Sequence, residues 1–351
     1  MGNTKHDIIS PITRVVCTRD GVTAPSDMID LAELPPVVFR DTNQNEPVRF
    51  QLANGETVVQ SGWKLTERDI CRLTDDGADI VTKKTVDGER SFVKGAKAQK
   101  IASAYTGSIS FKIRSDEAIY GLGQQENGIV NYRDAKEYLY QNNMKISMPV
   151  FVSSRKYAIL FDAKCFMVYE EKDTVITVHF DAVDQIDYYM IAADSFRDVV
   201  RNIRALTGKA PMLPRWFYGY VQSKERYKTQ DEILSTVKEF KARGIPLSCI
   251  VLDWCYWEEG KWGNKHVDTA RFPDLPAMMR RLHEERVALI VSVWPNMNAG
   301  CENHTELLEA GKLLSNRSTY DAFDRRARQM YWKQCEEELF SAGVDGWWCD
   351  S

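Results

Sequence analysis

The sequence predicts a β-sandwich followed by an incomplete (β/α)8 TIM barrel. Three observations lead to this fold class. Before residue 195 the chain consists of short β-branched segments, many of which alternate polar and apolar residues. After residue 213 strand-like and helix-like segments alternate, which is the pattern of a parallel α/β sheet. Eight of the nine tryptophans follow residue 213, so the two parts also differ in composition.

Residues 1–213 are predicted to form an N-terminal β-sandwich domain. Two Asp-Gly turn signals, Asp76-Gly77 and Asp87-Gly88, separate its strand-like segments. Short strands at this spacing are typical of an antiparallel sandwich. The strand-like segments are 56–60, 79–82, 107–113, 149–152, 157–161 and 174–180. A helix over Ser195–Leu206 precedes Pro211, and this proline marks the domain boundary.

Residues 214–351 are predicted to contain about four βα units of a barrel. The strand-like segments are 218–222, 247–253, 288–294 and 346–350. Thr229 and Glu232 form a capping box that begins one helix, and Asp274 begins another. Trp332 lies on the apolar stripe of a later helix and is expected to pack in the core. A whole barrel needs ~250 residues, so this part is interpreted as the first half of one. An open doubly wound sheet is the alternative, although no glycine-rich phosphate loop follows the first strand.

Composition and charge exclude several classes of function. The net charge of -4 argues against a nucleic-acid partner, which usually meets a basic face. The polar start shows no secretory signal, and no apolar run approaches the roughly 20 residues of a membrane span. The eight cysteines include no C-x-x-C pair, so buried reduced thiols in a cytoplasmic protein are expected. No metal or cofactor is expected, because the five histidines show no ligand spacing. The oligomeric state is open, with a homo-oligomer as one option.

Two aspartates end strand-like segments of the second part. Asp350 follows Trp347-Trp348-Cys349 at the tip of the fourth segment, which is interpreted as a buried strand, and Asp253 ends the second segment. Active sites of (β/α)8 barrels lie at these carboxyl ends. A buried carboxylate costs several kcal/mol unless it is paired or used. For Asp350, a catalytic role and a structural one as a helix cap or arginine partner are equally good interpretations. Two carboxylates beside tryptophans suit carbohydrate, since an indole stacks on the apolar face of a sugar ring.

Several motifs resemble glycoside hydrolase family 31. They follow the family's order over about residues 110–351 and are Tyr120–Gln124, Gln141–Pro149, Pro214–Phe217, Leu252–Trp254, Arg271–Asp274 and Val344–Asp350. The sequence around Asp253 and Trp347-Trp348 is most similar to the α-xylosidase-type branch. The resemblance implies a galactose-mutarotase-like sandwich before a catalytic barrel. It also implies a retaining α-glycosidase that hydrolyses terminal α-linked sugars of an oligosaccharide or glycoside without a metal.

The resemblance also implies roles for single residues. Asp350 matches the catalytic nucleophile, and Asp253 matches a residue that binds hydroxyls of the sugar. The further candidate substrate-binding residues are Trp254, Trp262, Trp294 and Trp348 of the barrel, with Gln124 and Glu126 from a sandwich loop that reaches over the pocket. The family's acid/base is an aspartate downstream of the nucleophile, and no residue here matches it. The 351 residues alone are therefore expected to be inactive as a glycosidase.

Four other functions remain open at this point. α-Glucosidase and α-N-acetylgalactosaminidase specificities occur on the same fold. A non-catalytic carbohydrate-binding protein would keep the sandwich and the aromatic pocket. A different barrel enzyme, such as an aldolase or isomerase, would need a lysine at a strand end. Lys224 follows the first strand but is more simply a loop residue.

Overall fold

The chain divides into two compact units, which are described separately. The computed structural model describes residues 5–21, 23–25, 34–40, 46–74, 77–85 and 88–350. One unit contains residues 1–71 and 100–210, and the other contains residues 72–99 and 211–351. Asp76 and Asp87, which belong to the two expected turns, lie outside the described residues.

The part of the chain before residue 195 is built from strands. In chain order they are β1 (Lys5–Ile9), β2 (Ile12–Thr18), β3 (Val37–Arg40), β4 (Val48–Leu52), β5 (Thr57–Thr74), β6 (Asp79–Thr85), β7 (Gly88–Lys94), β8 (Lys97–Lys112), β9 (Ile119–Gln124), β10 (Lys136–Leu139), β11 (Ile146–Ser153), β12 (Tyr157–Phe161), β13 (Met167–Lys172), β14 (Val175–Val183) and β15 (Ile186–Ala192). A seven-stranded sheet has the order β1-β4-β5-β8-β14-β13-β10, and a six-stranded sheet has the order β3-β2-β15-β12-β11-β9. Strands β6 and β7 pair as a separate hairpin, which is grouped with the second unit.

One apolar core lies between the two large sheets. Phe111 of β8 comes from the seven-stranded sheet, and its ring centroid is 6.2 Å from that of Phe151 of β11 in the other sheet. The ring centroids of Phe111 and Tyr188 of β15 are 5.5 Å apart. Strand β14 alternates buried and more exposed residues, as expected for a strand with one face on a core. The two sheets therefore pack face to face through aromatic side chains.

The six-stranded sheet is covered on its other face by helix α1 (Phe196–Thr207). Strands β12 and β15 are buried on both faces because Val199 and Leu206 of this helix pack against them. The side chain of Ser195 caps the helix by accepting a hydrogen bond from the backbone N–H of Asp198. The helix predicted over Ser195–Leu206 is thus confirmed.

The second unit contains a parallel sheet whose strands alternate with helices. Its elements are β16 (Val221–Gln222), α2 (Gln230–Ala242), β17 (Cys249–Leu252), α3 (Leu275–Glu284), β18 (Ala288–Val293), α4 (Glu302–Glu309), α5 (Arg325–Cys335) and β19 (Gly346–Cys349). The four strands lie in the order β16-β17-β18-β19, and every neighbouring pair is parallel. The sequence predicted this alternation but missed α4. Of the helices that the structure describes, none is both long and apolar enough to cross a membrane.

The helix starts predicted from the sequence are confirmed, with one difference of detail. Thr229 accepts a hydrogen bond from the backbone N–H of Glu232, and Asp274 caps α3 in the same way. In a capping box the glutamate bonds the N–H of the capping residue itself. Here Glu232 accepts from the backbone N–H of Lys228 instead, and Lys224 forms an ion pair with the same carboxylate.

Three expectations about the barrel part were wrong. The first strand contains only Val221–Gln222, because Arg215–Tyr218 form a 3-10 turn. The last strand is not buried: Trp348 is 44% exposed, since β19 has a partner in β18 alone and lies at the end of the described sheet. Trp332 is 45% exposed and does not lie in the core. Its ring instead contacts Trp347 and Phe340 at the surface.

Candidate active site

The carboxyl ends of three parallel strands bring Asp253, Trp294 and Asp350 to one edge of the sheet. Strand β17 ends before Asp253, β18 before Trp294 and β19 before Asp350. The register pairs Val293 with Cys349, and the backbone N–H of Asp350 donates to the carbonyl of Val293 over 3.0 Å. Two carboxylates and one indole therefore follow neighbouring strand ends, which is where barrel enzymes hold their catalytic groups.

Asp253 lies in an environment that disfavours its charge. The side chain is partly buried, and burial raises its pKa above the usual range. The negative charges of Asp350 and Glu225 raise the pKa further. One hydrogen bond, donated by the backbone N–H of Trp254 over 2.7 Å, acts in the opposite direction. The charge of Asp350 thus acts on Asp253 at the strand ends, as expected where two carboxylates share an edge.

A cluster of indoles stands beside these carboxylates. The Trp262 ring is central, with centroid distances of 5.3 Å to Trp254, 6.1 Å to Trp257 and 4.8 Å to Trp294. The Trp294 indole Nε1–H donates to Ser292 Oγ over 3.1 Å. The Trp262 Nε1–H is buried and has no hydrogen-bond acceptor among the described residues. A buried donor without a partner is costly, so this N–H is a candidate contact for a ligand oxygen.

The loop that carries Trp254 and Trp262 is held by Arg271. The guanidinium Nη2 donates to the carbonyls of Cys255 and Trp257, over 2.8 Å and 2.6 Å, and Nε donates to Asp268 over 2.7 Å. The same cation holds the pKa of Asp268 below its usual range. Through these three hydrogen bonds, one planar guanidinium group fixes the backbone of the loop that carries the indoles.

Gly263 allows this loop to approach the end of β18 closely. Its φ is +75°, and a Cβ added there would lie 2.1 Å from the carbonyl oxygen of Asn296. The backbone N–H of Asn298 donates to the carbonyl of Trp262 over 3.0 Å. Only glycine fits this contact, which keeps Trp262 beside Trp294.

The remaining predicted site residues are placed differently. Trp348 is paired with Ser292 on β18, but it has no ring contact with the Trp254–Trp262–Trp294 cluster among the described residues. Gln124 ends strand β9 and Glu126 follows in a loop, and both are exposed residues of the first unit. Gly123 fixes the start of this loop, since a Cβ there would lie 1.9 Å from the carbonyl of Ile146. Within the part of the chain that the structure describes, no group of three His, Cys, Asp or Glu side chains would hold a metal.

The sequence missed one charged residue near the indoles, Lys265. Its side chain is 0% exposed and lies between the Trp262 loop and the end of β18. The pattern Trp-Gly-Asn-Lys-His gives no sign of burial, because lysine is among the residues that are most often exposed.

Residues 210–351 match the family model described as the glycosyl hydrolases family 31 TIM-barrel domain. An α-xylosidase of Saccharolobus solfataricus is 36% identical over 258 residues, which are 71% of this chain and 35% of that protein. The chain belongs to glycoside hydrolase family 31. The resemblance predicted from the sequence motifs is thereby confirmed. Other family 31 relatives include α-xylosidase A of Aspergillus niger, 27% identical over 85% of this chain and 44% of that protein.

Solved structures of family 31 enzymes have the same fold as this chain. A xylosidase from Aspergillus niger gives a TM-score of 0.71 at 19% identity and covers 97% of this chain and 54% of its own. A family 31 α-xylosidase from a soil metagenome, complexed with xylose, gives a TM-score of 0.67 at 24% identity. The match covers 85% of this chain and 55% of that one. The chain thus spans between about a third and a little over half of the length of these relatives.

Proposed function

We propose that this chain belongs to a retaining α-glycosidase of the α-xylosidase type. The observation that carries the proposal is Asp350 at the carboxyl end of a parallel strand in a family 31 barrel segment, with Asp253 on the same edge. The relative with 36% identity, named α-xylosidase, supports the xyloside specificity. The finer fold is part of the same proposal: a galactose-mutarotase-like sandwich over residues 1–213, and the first half of a (β/α)8 barrel over residues 214–351.

Asp350 is the proposed nucleophile. Its carboxylate oxygen attacks the anomeric carbon, the bond to the leaving oxygen breaks, and a glycosyl ester forms on Asp350. The general acid gives its proton to the leaving oxygen. Water then attacks the same carbon and gives a proton to the general acid, which now acts as a base. The ester bond to Asp350 breaks, its carboxylate is regenerated, and the sugar is released with retained configuration.

The other predicted residues bind the sugar in this proposal. The Asp253 carboxylate accepts hydrogen bonds from hydroxyls, and the faces of Trp254, Trp262 and Trp294 contact the apolar side of the ring. The buried Trp262 N–H is the donor best suited to a hydroxyl oxygen. Trp348, Gln124 and Glu126 complete the proposed set of substrate-binding residues.

The acid/base is proposed to be absent from residues 1–351. Retaining enzymes hold their two carboxyl groups about 5–5.5 Å apart, and the family's acid follows the nucleophile along the chain. The isolated 351-residue polypeptide is therefore proposed not to hydrolyse glycosides whose leaving group needs protonation. We also propose a cytoplasmic location, since all eight cysteines are unpaired and a reducing compartment would keep them so. Homo-oligomer formation stays a prediction.

A glycosyl fluoride separates the nucleophile from the acid/base, because fluoride leaves without a proton. We expect α-xylosyl fluoride to release about one fluoride per polypeptide and to leave one pentosyl unit on Asp350, as read by intact mass and peptide mapping. Aryl α-xylosides with poor leaving groups should remain intact. Asp350→Asn should abolish the adduct and Asp253→Asn should weaken sugar binding. Asp231→Asn removes an exposed carboxylate from α2 and serves as the control.

Two results would contradict the proposal. A pentosyl adduct mapped to another residue would remove Asp350 as nucleophile. Sugar binding without any adduct, unchanged by Asp350→Asn, would favour a non-catalytic carbohydrate-binding protein.

An α-glucosidase is the second candidate specificity. An α-glucosidase of Saccharolobus solfataricus is 27% identical over 67% of this chain. Parallel labelling with α-glucosyl fluoride distinguishes the two, since the preferred sugar should label faster. An α-N-acetylgalactosaminidase specificity would show as labelling by the fluoride of α-N-acetylgalactosamine in place of the other two.

A further inference from the structure

The ammonium group of Lys265 meets three acceptors. Its Nζ donates to the carbonyl of Gly263 over 2.7 Å and to the carbonyl of Trp294 over 3.2 Å. It also lies 4.3 Å from the centroid of the Tyr331 ring, on whose face a cation is attracted. A lysine ammonium has three N–H donors and no acceptor, so this arrangement matches its charged form.

Lys265 is buried without an acidic partner. No carboxylate of the described residues is an ion-pair partner of its ammonium, and the nearby thiols of Cys301 and Cys335 are neutral at pH 7 because burial raises their pKa to about 11. Burial lowers the pKa of Lys265 to about 8. The group therefore carries its proton at neutral pH. Burying a cation without an opposite charge costs stability. A lysine at position 265 is therefore expected to have a role that an exposed lysine could not fill.

The two carbonyls that Lys265 binds belong to the two segments that carry the central indoles. Gly263 directly follows Trp262, and the other carbonyl is that of Trp294 itself. The rings of Trp262 and Trp294 lie edge to face, with centroids 4.8 Å apart and planes at 73°. One ammonium group thus joins the backbone of the Trp262 loop to the end of β18.

The Trp294 carbonyl receives a second hydrogen bond. The Tyr331 hydroxyl on α5 donates to it over 3.0 Å, beside the contact from Lys265. The backbone N–H of Lys265 donates to Asn303 Oδ1 on α4 over 2.8 Å. Lys265 therefore contacts both α4 and α5, and through its hydrogen bond to the Trp294 carbonyl it connects these helices to the end of β18.

We propose that Lys265 is a positioning residue that holds the Trp262–Trp294 pair in the orientation that binds a sugar ring. That the ligand is a sugar rests on the proposed function, whereas the effect of Lys265 on the orientation of the two indoles does not. Lys265 touches neither the proposed nucleophile nor the reacting atoms, and it acts through Gly263 and the Trp294 carbonyl.

The experiment compares Lys265→Met with wild type by near-ultraviolet circular dichroism and by calorimetric binding of methyl α-xyloside. Near-ultraviolet dichroism reports the mutual orientation of close indoles, which a general loss of stability leaves unchanged while the protein is folded. We expect an altered tryptophan signal and about a tenfold loss of affinity, since small misplacements of binding groups have effects of this order or larger. Lys265→Gln keeps an N–H donor and should recover part of both. Lys241→Met removes an exposed lysine of α2 and should change neither.

A second variant covers the case in which Lys265→Met does not fold. Tyr331→Phe keeps the ring below Nζ and removes one of the two donors to the Trp294 carbonyl. It should change the tryptophan signal in the same direction and by less. The proposal would be overturned if a folded Lys265→Met protein showed an unchanged tryptophan signal and unchanged affinity. If that variant does not fold, the same result in Tyr331→Phe would overturn it. If wild type binds no sugar, the proposed function fails, and the tryptophan signal alone decides the role of Lys265.

Discussion

At the scale of single residues, Asp253 and Asp268 illustrate two opposite environments for a carboxylate. Burial and then the charges of Asp350 and Glu225 raise the pKa of Asp253. The hydrogen bond from Arg271 lowers the pKa of Asp268. The first aspartate is therefore charged at a cost in stability, and the second contributes stability when charged.

These opposite shifts predict opposite effects of the same substitution. A raised folded pKa means that wild type loses stability as pH rises through it, so Asp253→Asn should raise the melting temperature at pH 7. This gain should shrink as the pH falls through the raised pKa and disappear below the ordinary value of 3.8, where the acid is neutral in both states. Asp268→Asn should lower the melting temperature at pH 7, because a depressed pKa stabilises the protein above 3.8. Thermal unfolding of both variants across this pH range checks the signs. A destabilising Asp253→Asn would mean that the carboxylate is structural.

Two glycines of the indole loop offer a matched test of close backbone approach. Gly260 and Gly263 have φ values of +81° and +75°, but only Gly263 has a neighbour that a Cβ would strike. Gly260→Ala should cost about 1–2 kcal/mol, the conformational penalty alone. Gly263→Ala should cost about 3 kcal/mol or more, since the Asn296 carbonyl must also move. Denaturant unfolding of both variants measures the difference, and equal costs would exclude the steric contribution.

Residue-level prediction from the sequence worked where a local pattern carried the information. Asp253 and Asp350 follow apolar segments, and the structure places both at carboxyl ends of parallel strands. Lys265 could not be found this way. Its burial depends on acceptors at positions 263, 294 and 331, and two of these are distant in sequence.

At the scale of elements, helix α2 depends on the cap that Thr229 provides. Its side chain satisfies the backbone N–H of Glu232, one of the donors that a helix start leaves unpaired. Thr229→Ala should therefore cost about 1 kcal/mol of unfolding free energy. Ser235→Ala removes a hydroxyl that bonds a carbonyl within the same helix and should stay within about 0.5 kcal/mol. Chemical denaturation of the pair tests the assignment, and equal losses would contradict it.

The sequence predicted the existence of most elements of the second unit better than their environment. Segments 247–253, 288–294 and 346–350 all read as apolar strands. Strands β17 and β18 are fully buried, whereas β19 is half-exposed. An apolar run shows that a segment is a strand, but its place within the sheet is set by pairings with segments far away in the chain. The exposure of Trp348 follows from this place at the end of the described sheet.

At the scale of the whole molecule, the chain combines strand pairing that is mainly antiparallel with strand pairing that is parallel. The sequence distinguished the two parts through their periodicity and through the distribution of tryptophan. It did not reveal that residues 72–99 group with the second unit, because the sequence around β6 and β7 has the same strand-like character as its neighbours. The family 31 barrel model matches residues 210–351, and the domain boundary near Pro211 stays a prediction.

In the proposed sugar site, the indole N–H of Trp262, which has no acceptor among the described residues, has a consequence for selectivity among sugars. A desolvated donor raises the free energy of the unliganded protein by about 1–3 kcal/mol, and a hydroxyl oxygen that accepts its hydrogen bond recovers this energy. Sites of this kind reject analogues that lack the accepting group far more strongly than sites that distinguish ligands by size. In the proposed site, a deoxy sugar that lacks this oxygen would therefore bind more weakly by about 1–3 kcal/mol, because it leaves the buried donor unpaired.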